Sequence, residues 1–158
     1  MVLYANRLFP TGGETHHGGG IISSYQQTNT TNHTLSSSSY TTIVDGNVTP
    51  ARQGNKFLVM CWWRPYMGNE GRLRADLRLV RERTGVDTNT LHDIDYCLYR
   101  ESSGNYKCAQ SFFSHIDDPN TTVQCRYYLQ FSITNITSGS TLEIHNGDMR
   151  FHILEIAS

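Results

Sequence analysis

The sequence predicts an all-β protein, an antiparallel, jelly-roll-like β-sandwich preceded by a short extended N-terminal arm. Three observations carry that expectation. Apolar and polar residues alternate with a period of two in run after run beyond Gly20, the spacing of strands that lay one face on a core. Thr, Ser, Asn, Gly and Tyr are plentiful while Ala, Glu and Lys are sparse, and no segment carries a helical period. Asn146 and Gly147 stand between two alternating runs in residues 141–156, the signature of a two-residue hairpin. A turn centred there pairs His145 with Asp148, Ile144 with Met149, Glu143 with Arg150 and Leu142 with Phe151. Leu142, Ile144, Met149 and Phe151 then share one face, and Glu143, His145, Asp148 and Arg150 the other.

Taken in order, residues 1–20 end in a glycine-rich stretch that cannot hold secondary structure alone. They read as an attachment arm. Its apolar residues Val2, Leu3, Tyr4, Leu8 and Phe9 serve no purpose on a solvated tail and need a partner surface. Residues 21–158 form the head domain. Residues 21–28 and 40–49 look extended, separated by a serine run at 36–39 and ended by Pro50. Residues 57–63 are apolar on both faces, Phe57, Val59, Cys61 and Trp63 on one and Leu58, Met60 and Trp62 on the other, which predicts a central strand covered twice. In residues 72–81, Leu73, Ala75, Leu77 and Leu79 face in, while Arg72, Arg74, Asp76 and Arg78 face out. Strands follow at 92–99 and 108–113. In residues 123–133, Val123, Cys125, Tyr127, Leu129, Phe131 and Ile133 face in, and Gln124, Arg126, Tyr128 and Gln130 face out. Eight or nine such strands make a sandwich of jelly-roll type.

At 158 residues the chain suits a single head domain with its own core. A formal charge of −1 exerts no pull on phosphate backbones, so nucleic acid is not an expected partner. The longest apolar run, residues 57–63, is too short to cross a bilayer, and residues 1–10 do not read as a signal peptide, so neither membrane insertion nor secretion is expected. Asn29, Asn32, Asn47, Asn120 and Asn135 open Asn-x-Ser/Thr sequons and read as unmodified turn and strand residues. Cys61, Cys97, Cys108 and Cys125 lack zinc or redox spacing. Cys61 and Cys125 read as buried reduced thiols, and Cys97 and Cys108 flank a polar loop across which an oxidising environment would let them pair.

Several motifs invite chemistry. His17 to Gly20 match the oxyanion segment of some lipases, but no G-x-S-x-G elbow accompanies them, so a flexible hinge is the better reading. His16, His17, His33, His145 and His152 are potential metal ligands, yet ordinary packing and cross-strand pairing account for them. Asp117, Asp118, Pro119 and Asn120 read as a turn rather than a calcium site. Among the aromatic residues, Trp62 and Trp63 are assigned to the core, which leaves Tyr66 and Tyr128 as surface candidates for stacking on a sugar ring. The arginine row Arg72, Arg74 and Arg78, with Arg81 and Arg83 beyond it, needs acids on a neighbouring strand or subunit to meet it. It reads as a solvated face or as a subunit-interface salt-bridge surface. No catalytic constellation, cofactor site or metal site is expected.

Residues 36–43 (SSSSYTTI), 48–50 (VTP), 56–59 (KFLV), 77–81 (LRLVR) and the close 151–156 (FHILEI) together resemble the β-sandwich modules in virion proteins of marine and cyanobacterial tailed phages. The resemblance runs from about Gly20 to the C-terminus. It implies a trimeric jelly-roll head of the kind found on tail fibres and on capsid decoration or cement proteins, one that binds rather than catalyses. Two features depart from that pattern: the heavy aromatic and cysteine content at Cys61, Trp62 and Trp63, and the short arm where long fibres carry a repetitive shaft. The expectation is a homotrimeric capsid decoration subunit of a virion assembled in the host cytoplasm, anchored to other virion proteins through its arm. The rival is a short tail fibre whose loops contact host surface glycan.

Overall fold

The structure, a computed structural model, describes residues 20–64, 66–68, 72–100, 106–108, 112–134 and 140–158. The arm residues Val2, Leu3, Tyr4, Leu8 and Phe9 therefore lie outside the described residues, as do His16 and His17. The described chain forms β1 (Ile21–Thr28), β2 (His33–Leu35), β3 (Thr41–Val48), β4 (Lys56–Trp63), β5 (Tyr66–Gly68) and β6 (Leu73–Arg83). These are followed by β7 (Asp87–Arg100), β8 (Tyr106–Cys108), β9 (Phe112–Asp117), β10 (Cys125–Thr134), β11 (Thr141–Ile144) and β12 (Met149–Ile156).

Two antiparallel sheets carry the fold, one ordered β1-β12-β4-β9 and the other β3-β10-β6-β7-β8. Within them β1 pairs with β12, β3 with β10, β4 with β9 and β6 with β7. First meets last, second meets second-to-last: the main strands form one long hairpin rolled up over itself, which is the jelly-roll winding. A third, small sheet, β2-β11-β5, is built from the connections β1 to β3, β4 to β6 and β10 to β12. All three connections emerge at one end of the sandwich, beside the end of β4 at Trp63 and the start of β12 at Met149.

The core is the alternation realised in space. Phe57, Val59, Cys61 and Trp63 from β4 and Met149, Phe151 and Ile153 from β12 face Leu73, Ala75, Leu77 and Leu79 from β6 and Tyr127, Leu129, Phe131 and Ile133 from β10. Phe57 meets Tyr127 edge-on at 5.7 Å between ring centroids, and Trp63 meets Phe131 at 6.3 Å, so aromatic contacts tie one sheet to the other. Gly46 of β3 lies under the ring of Tyr25. A Cβ on Gly46 would stand 2.4 Å from Tyr25 Cε1, so only glycine lets the ring pack there. Cys61 and Cys125 are buried and unbridged. Cys97 is buried with its Sγ 3.2 Å from the Ala75 carbonyl oxygen, while the side chain of Cys108 lies outside the described residues.

Several expectations need correction. The Asn146–Gly147 turn exists, and Asp148 N–H donates to the His145 carbonyl at 3.1 Å, but β11 and β12 do not pair with each other. β11 pairs with β2 and β5, and β12 pairs with β1 and β4. The reason is the turn: Gly147 has φ +85°, whereas Asn146 is outside the left-handed region that a type I′ hairpin demands at both positions. Strands leaving an unprimed turn splay, and here they part into two sheets. The faces survive the change, since Leu142, Ile144, Met149 and Phe151 are all buried. Glu143 instead lies opposite Thr34 and Tyr66, and Arg150 opposite Thr28 and Trp62. The strand expected at 108–113 is two strands, β8 and β9, and Val123 is exposed ahead of β10. β4 is central in its sheet but is covered on one face only by described residues: Trp62 is 37% exposed.

Candidate functional site

The outer face of the β1-β12-β4-β9 sheet carries side chains that a solvated strand does not need. Cross-strand pairing sets Leu154, Leu58 and Ile116 in one row, and four residues along β4 it sets Arg150, Trp62 and Phe112 in another. Ile116 is 61% and Phe112 41% exposed. Trp62 contacts two rings, tilted against Phe112 at 5.2 Å and near-perpendicular to His152 at 5.0 Å between centroids, and these contacts restrict its indole.

Two clefts meet at this tryptophan. One, about 410 Å³, is lined by Trp62, Trp63, Arg64, Gly147, Asp148 and Arg150. The other, about 300 Å³, is lined by Trp62, Arg150 and His152. Both reach the size of small-molecule sites. The local backbone is pinned: Arg64 N–H donates to the Asp148 carbonyl at 2.8 Å and Gly147 N–H to the Asn29 carbonyl at 3.0 Å. The buried Asn29 side chain completes the brace, donating to the His145 carbonyl at 2.8 Å and accepting from Met149 N–H at 2.9 Å. Arg64 Nη2 lies 3.1 Å from Asp148 Oδ1. Arg150 is exposed and makes no ion pair among the described residues. Burial and the neighbouring Arg150 charge push the His152 imidazole below its ordinary value, so it is neutral at pH 7.

At the opposite end of the sandwich a buried polar cluster sits between the sheets. Arg81 Nη1 donates to both oxygens of Asp117, at 2.7 and 2.8 Å, and Tyr127 Oη donates to Asp117 Oδ2 at 2.6 Å. Burial, then the Asp117 carboxylate, drives the Tyr127 phenol far above its usual range. Arg83 reaches Asp87 and the Pro119 carbonyl nearby, and the hydrogen bond from Arg83 holds Asp87 down at about 2. Every charged group here is matched to a partner in the chain, which is the arrangement of a structural brace.

The arginine row meets acids and acceptors of its own chain. Arg74 Nε donates to Asp76 at 2.9 Å and its Nη2 lies 3.5 Å from Asp95. Arg78 Nε donates to Gln130 at 2.7 Å and its guanidinium covers the Tyr40 ring at 3.8 Å. Arg72 is exposed just before β6. Tyr128 is half-buried on the outer face of β10, with the Arg126 guanidinium 5.0 Å from its ring centroid. The backbone of Tyr66 lies opposite Glu143, and its side chain is outside the described residues. Arg72, Arg74 and Arg78 thus share one outer sheet face, with Tyr128 on a neighbouring strand of it. Among the described residues no three His, Cys, Asp or Glu side chains are grouped for a metal ion.

Trp62 and Arg81 are what the sequence reading missed. Alternation puts Arg81 in phase with Leu73 to Leu79, a visible sign that it turns inward. Trp62 is in phase with Leu58 and Met60, but nothing local says whether that face finds a cover. No protein-family model matches this chain, and no curated protein matches it.

Proposed function

We propose that the chain is a structural subunit of a bacteriophage virion, a homotrimeric capsid decoration or cement protein. Residues 1–20 attach it to other virion proteins through Val2, Leu3, Tyr4, Leu8 and Phe9, and the jelly roll forms the exposed head. The observation that carries this reading is the apolar row Leu154, Leu58 and Ile116 on an outer sheet face, with Ile21 and Ile22 exposed at the sheet's edge. Apolar surface gathered in this way marks a place where another protein sits. On the Arg74 face, ion pairs of Arg74 with Asp76 and of Arg126 with Asp45 form within the chain, which fits an assembly held by apolar burial rather than by long-range charge.

Deleting residues 1–20 tests the reading. The head is expected to fold and to run as a trimer in light scattering, while losing its place on purified virions. A head that unfolds, or a full-length chain that stays monomeric, overturns it. A Leu58→Asp, Ile116→Asp variant is expected to dissociate the trimer without loss of β structure. The rival reading, a short tail fibre that binds host glycan, is supported by the Trp62 cleft. Copy number separates the two: a count near that of the capsid threefold axes supports decoration, and a few tens at the tail support adsorption.

A further inference from the structure

The cleft around Trp62 goes beyond the assembly reading and does not depend on whether the subunit sits on a capsid or a tail. It combines three things in one place. The first is a flat aromatic surface, more than a third exposed, whose tilt is set by Phe112 and His152. The second is a pair of guanidinium groups, Arg64 and Arg150, that line the cleft together with the Asp148 carboxylate. The third is a rigid floor, because the turn that brings Gly147 and Asp148 to the cleft is tied to Asn29 and to the Arg64 backbone.

We infer that this cleft is a carbohydrate site for a sugar ring that bears an anionic group. Trp62 supplies the stacking face, Arg150 and Arg64 the partners of the anion, and Asp148 an acceptor for ring hydroxyls. The chemistry follows from the shape of a pyranose. Its faces are rows of C–H groups that lose little water on lying against an indole, and its rim is a ring of hydroxyls that need planar donors and acceptors. Arg and Asp side by side offer both at a fixed spacing. Asp148 spends Oδ1 on Arg64 and keeps acceptor capacity on Oδ2, which stands 4.0 Å from His145 Nδ1. Arg150 makes no ion pair among the described residues, so its guanidinium is the group that meets an anion, and a carboxylated or phosphorylated sugar gains where a neutral one does not. A nucleic acid strand would need a basic track to follow its backbone, and the chain's charge of −1 supplies none.

The test uses the full-length protein and four probes: an oligogalacturonate, a neutral glucose oligomer of the same length, inorganic phosphate and a single-stranded oligonucleotide. The chain has two tryptophans. Trp63 also lines the larger cleft, so the Trp62 indole N–H signal is identified as the one that Trp62→Ala removes, and its ligand-dependent shifts are followed with calorimetry beside them. Oligogalacturonate is expected to bind saturably and to move one indole signal. Trp62→Ala is expected to weaken it roughly tenfold or more, and Arg150→Gln roughly fivefold while leaving the weak affinity for the neutral oligomer unchanged. The solution mass and melting temperature of each variant are followed in parallel, so a defect in assembly is not mistaken for a defect in binding.

The inference is overturned by oligogalacturonate failing to bind, or by binding that Trp62→Ala leaves intact. It is overturned equally by phosphate alone matching the oligosaccharide, which would make this an anion site. A neutral oligomer binding as tightly as the acidic one, or the oligonucleotide binding in place of both, also defeats it. None of these outcomes bears on trimerisation, so the assembly reading stands or falls separately.

Discussion

Arg81 of β6 and Asp117 of β9 face each other across the interior of the sandwich, and both carboxylate oxygens accept from one guanidinium nitrogen at 2.7 and 2.8 Å. The pair joins one sheet to the other where the connections from β6 to β7 and from β9 to β10 close that end of the fold. Two charges removed from water in this way are stable only as a set. Replacing Arg81 by Met leaves a buried carboxylate with the Tyr127 hydroxyl alone, and is expected to cost about 3–5 kcal/mol in urea unfolding. The triple change Arg81→Met, Asp117→Leu, Tyr127→Phe removes every member of the set and is expected to recover most of that loss. A single variant that costs less than about 1 kcal/mol would show that the end of the sandwich admits water.

Asn29 ties together three stretches of the chain with one amide: the link from β1 to β2, the turn after β11 and the start of β12. Its side chain donates to the carbonyls of Thr31 and His145 and accepts from Met149 N–H, all at 2.8–3.0 Å. Asn29→Ala leaves a buried N–H and two carbonyls short of partners. The expected cost is about 2 kcal/mol or more by chemical denaturation. Hydrogen exchange is expected to quicken first at Gly147 and Met149, the amides nearest the lost brace.

Gly46→Ala is expected to destabilise by about 1–3 kcal/mol, because the new methyl group lands on the Tyr25 ring and forces it out of its packed position. Tyr25→Leu in the same background is expected to restore part of the loss. If Gly46→Ala alone leaves the melting temperature unchanged, β1 is free to lift from β3.

Acid is expected to weaken the fold in a defined window. His33, His115 and His152 are each held below 6.5 chiefly by burial, with the Asp117 charge opposing and His92 reinforcing the shift at His115. A histidine whose folded pKa is lowered binds fewer protons folded than unfolded, so stability rises with pH there and is lost as pH falls below about 6.5. The melting temperature is expected to drop between pH 7.5 and 5.5, and His115→Gln to flatten the profile. Asp87, held at about 2 by the Arg83 hydrogen bond, belongs to a separate, more acidic window: its contribution is present above about 3.8 and fades toward pH 2. A profile flat down to pH 5 would contradict the burial of these imidazoles.

How much was legible follows the range of the forces involved. Alternation is local, and it placed Leu73 to Leu79, Tyr127 to Ile133, Met149 and Phe151 on the inner side without knowledge of any partner strand, as the core confirms. The same phase carried Arg81 inward, a conclusion that residue type alone obscures because lone arginines are seldom buried. Tyr66, Tyr128 and the arginine row stand out in the sequence as polar or amphipathic residues suited to outer faces. Arg74, Arg78 and Tyr128 are indeed on outer faces, but their neighbours Asp76, Gln130 and Arg126 come from pairing that spacing does not reveal.

Pairing is a choice among distant strands, decided by which backbone edges and apolar faces fit best in three dimensions. That is why residues 141–156 form a turn and two correctly faced strands yet no hairpin: an unprimed turn splays them, and β4 offers β12 eight residues of ladder. It is also why Trp62 is open to solvent and Trp63 is not. Their neighbours in sequence are nearly the same, and the difference lies in the opposite sheet, which lays its apolar layer against one side of β4 and leaves the other bare.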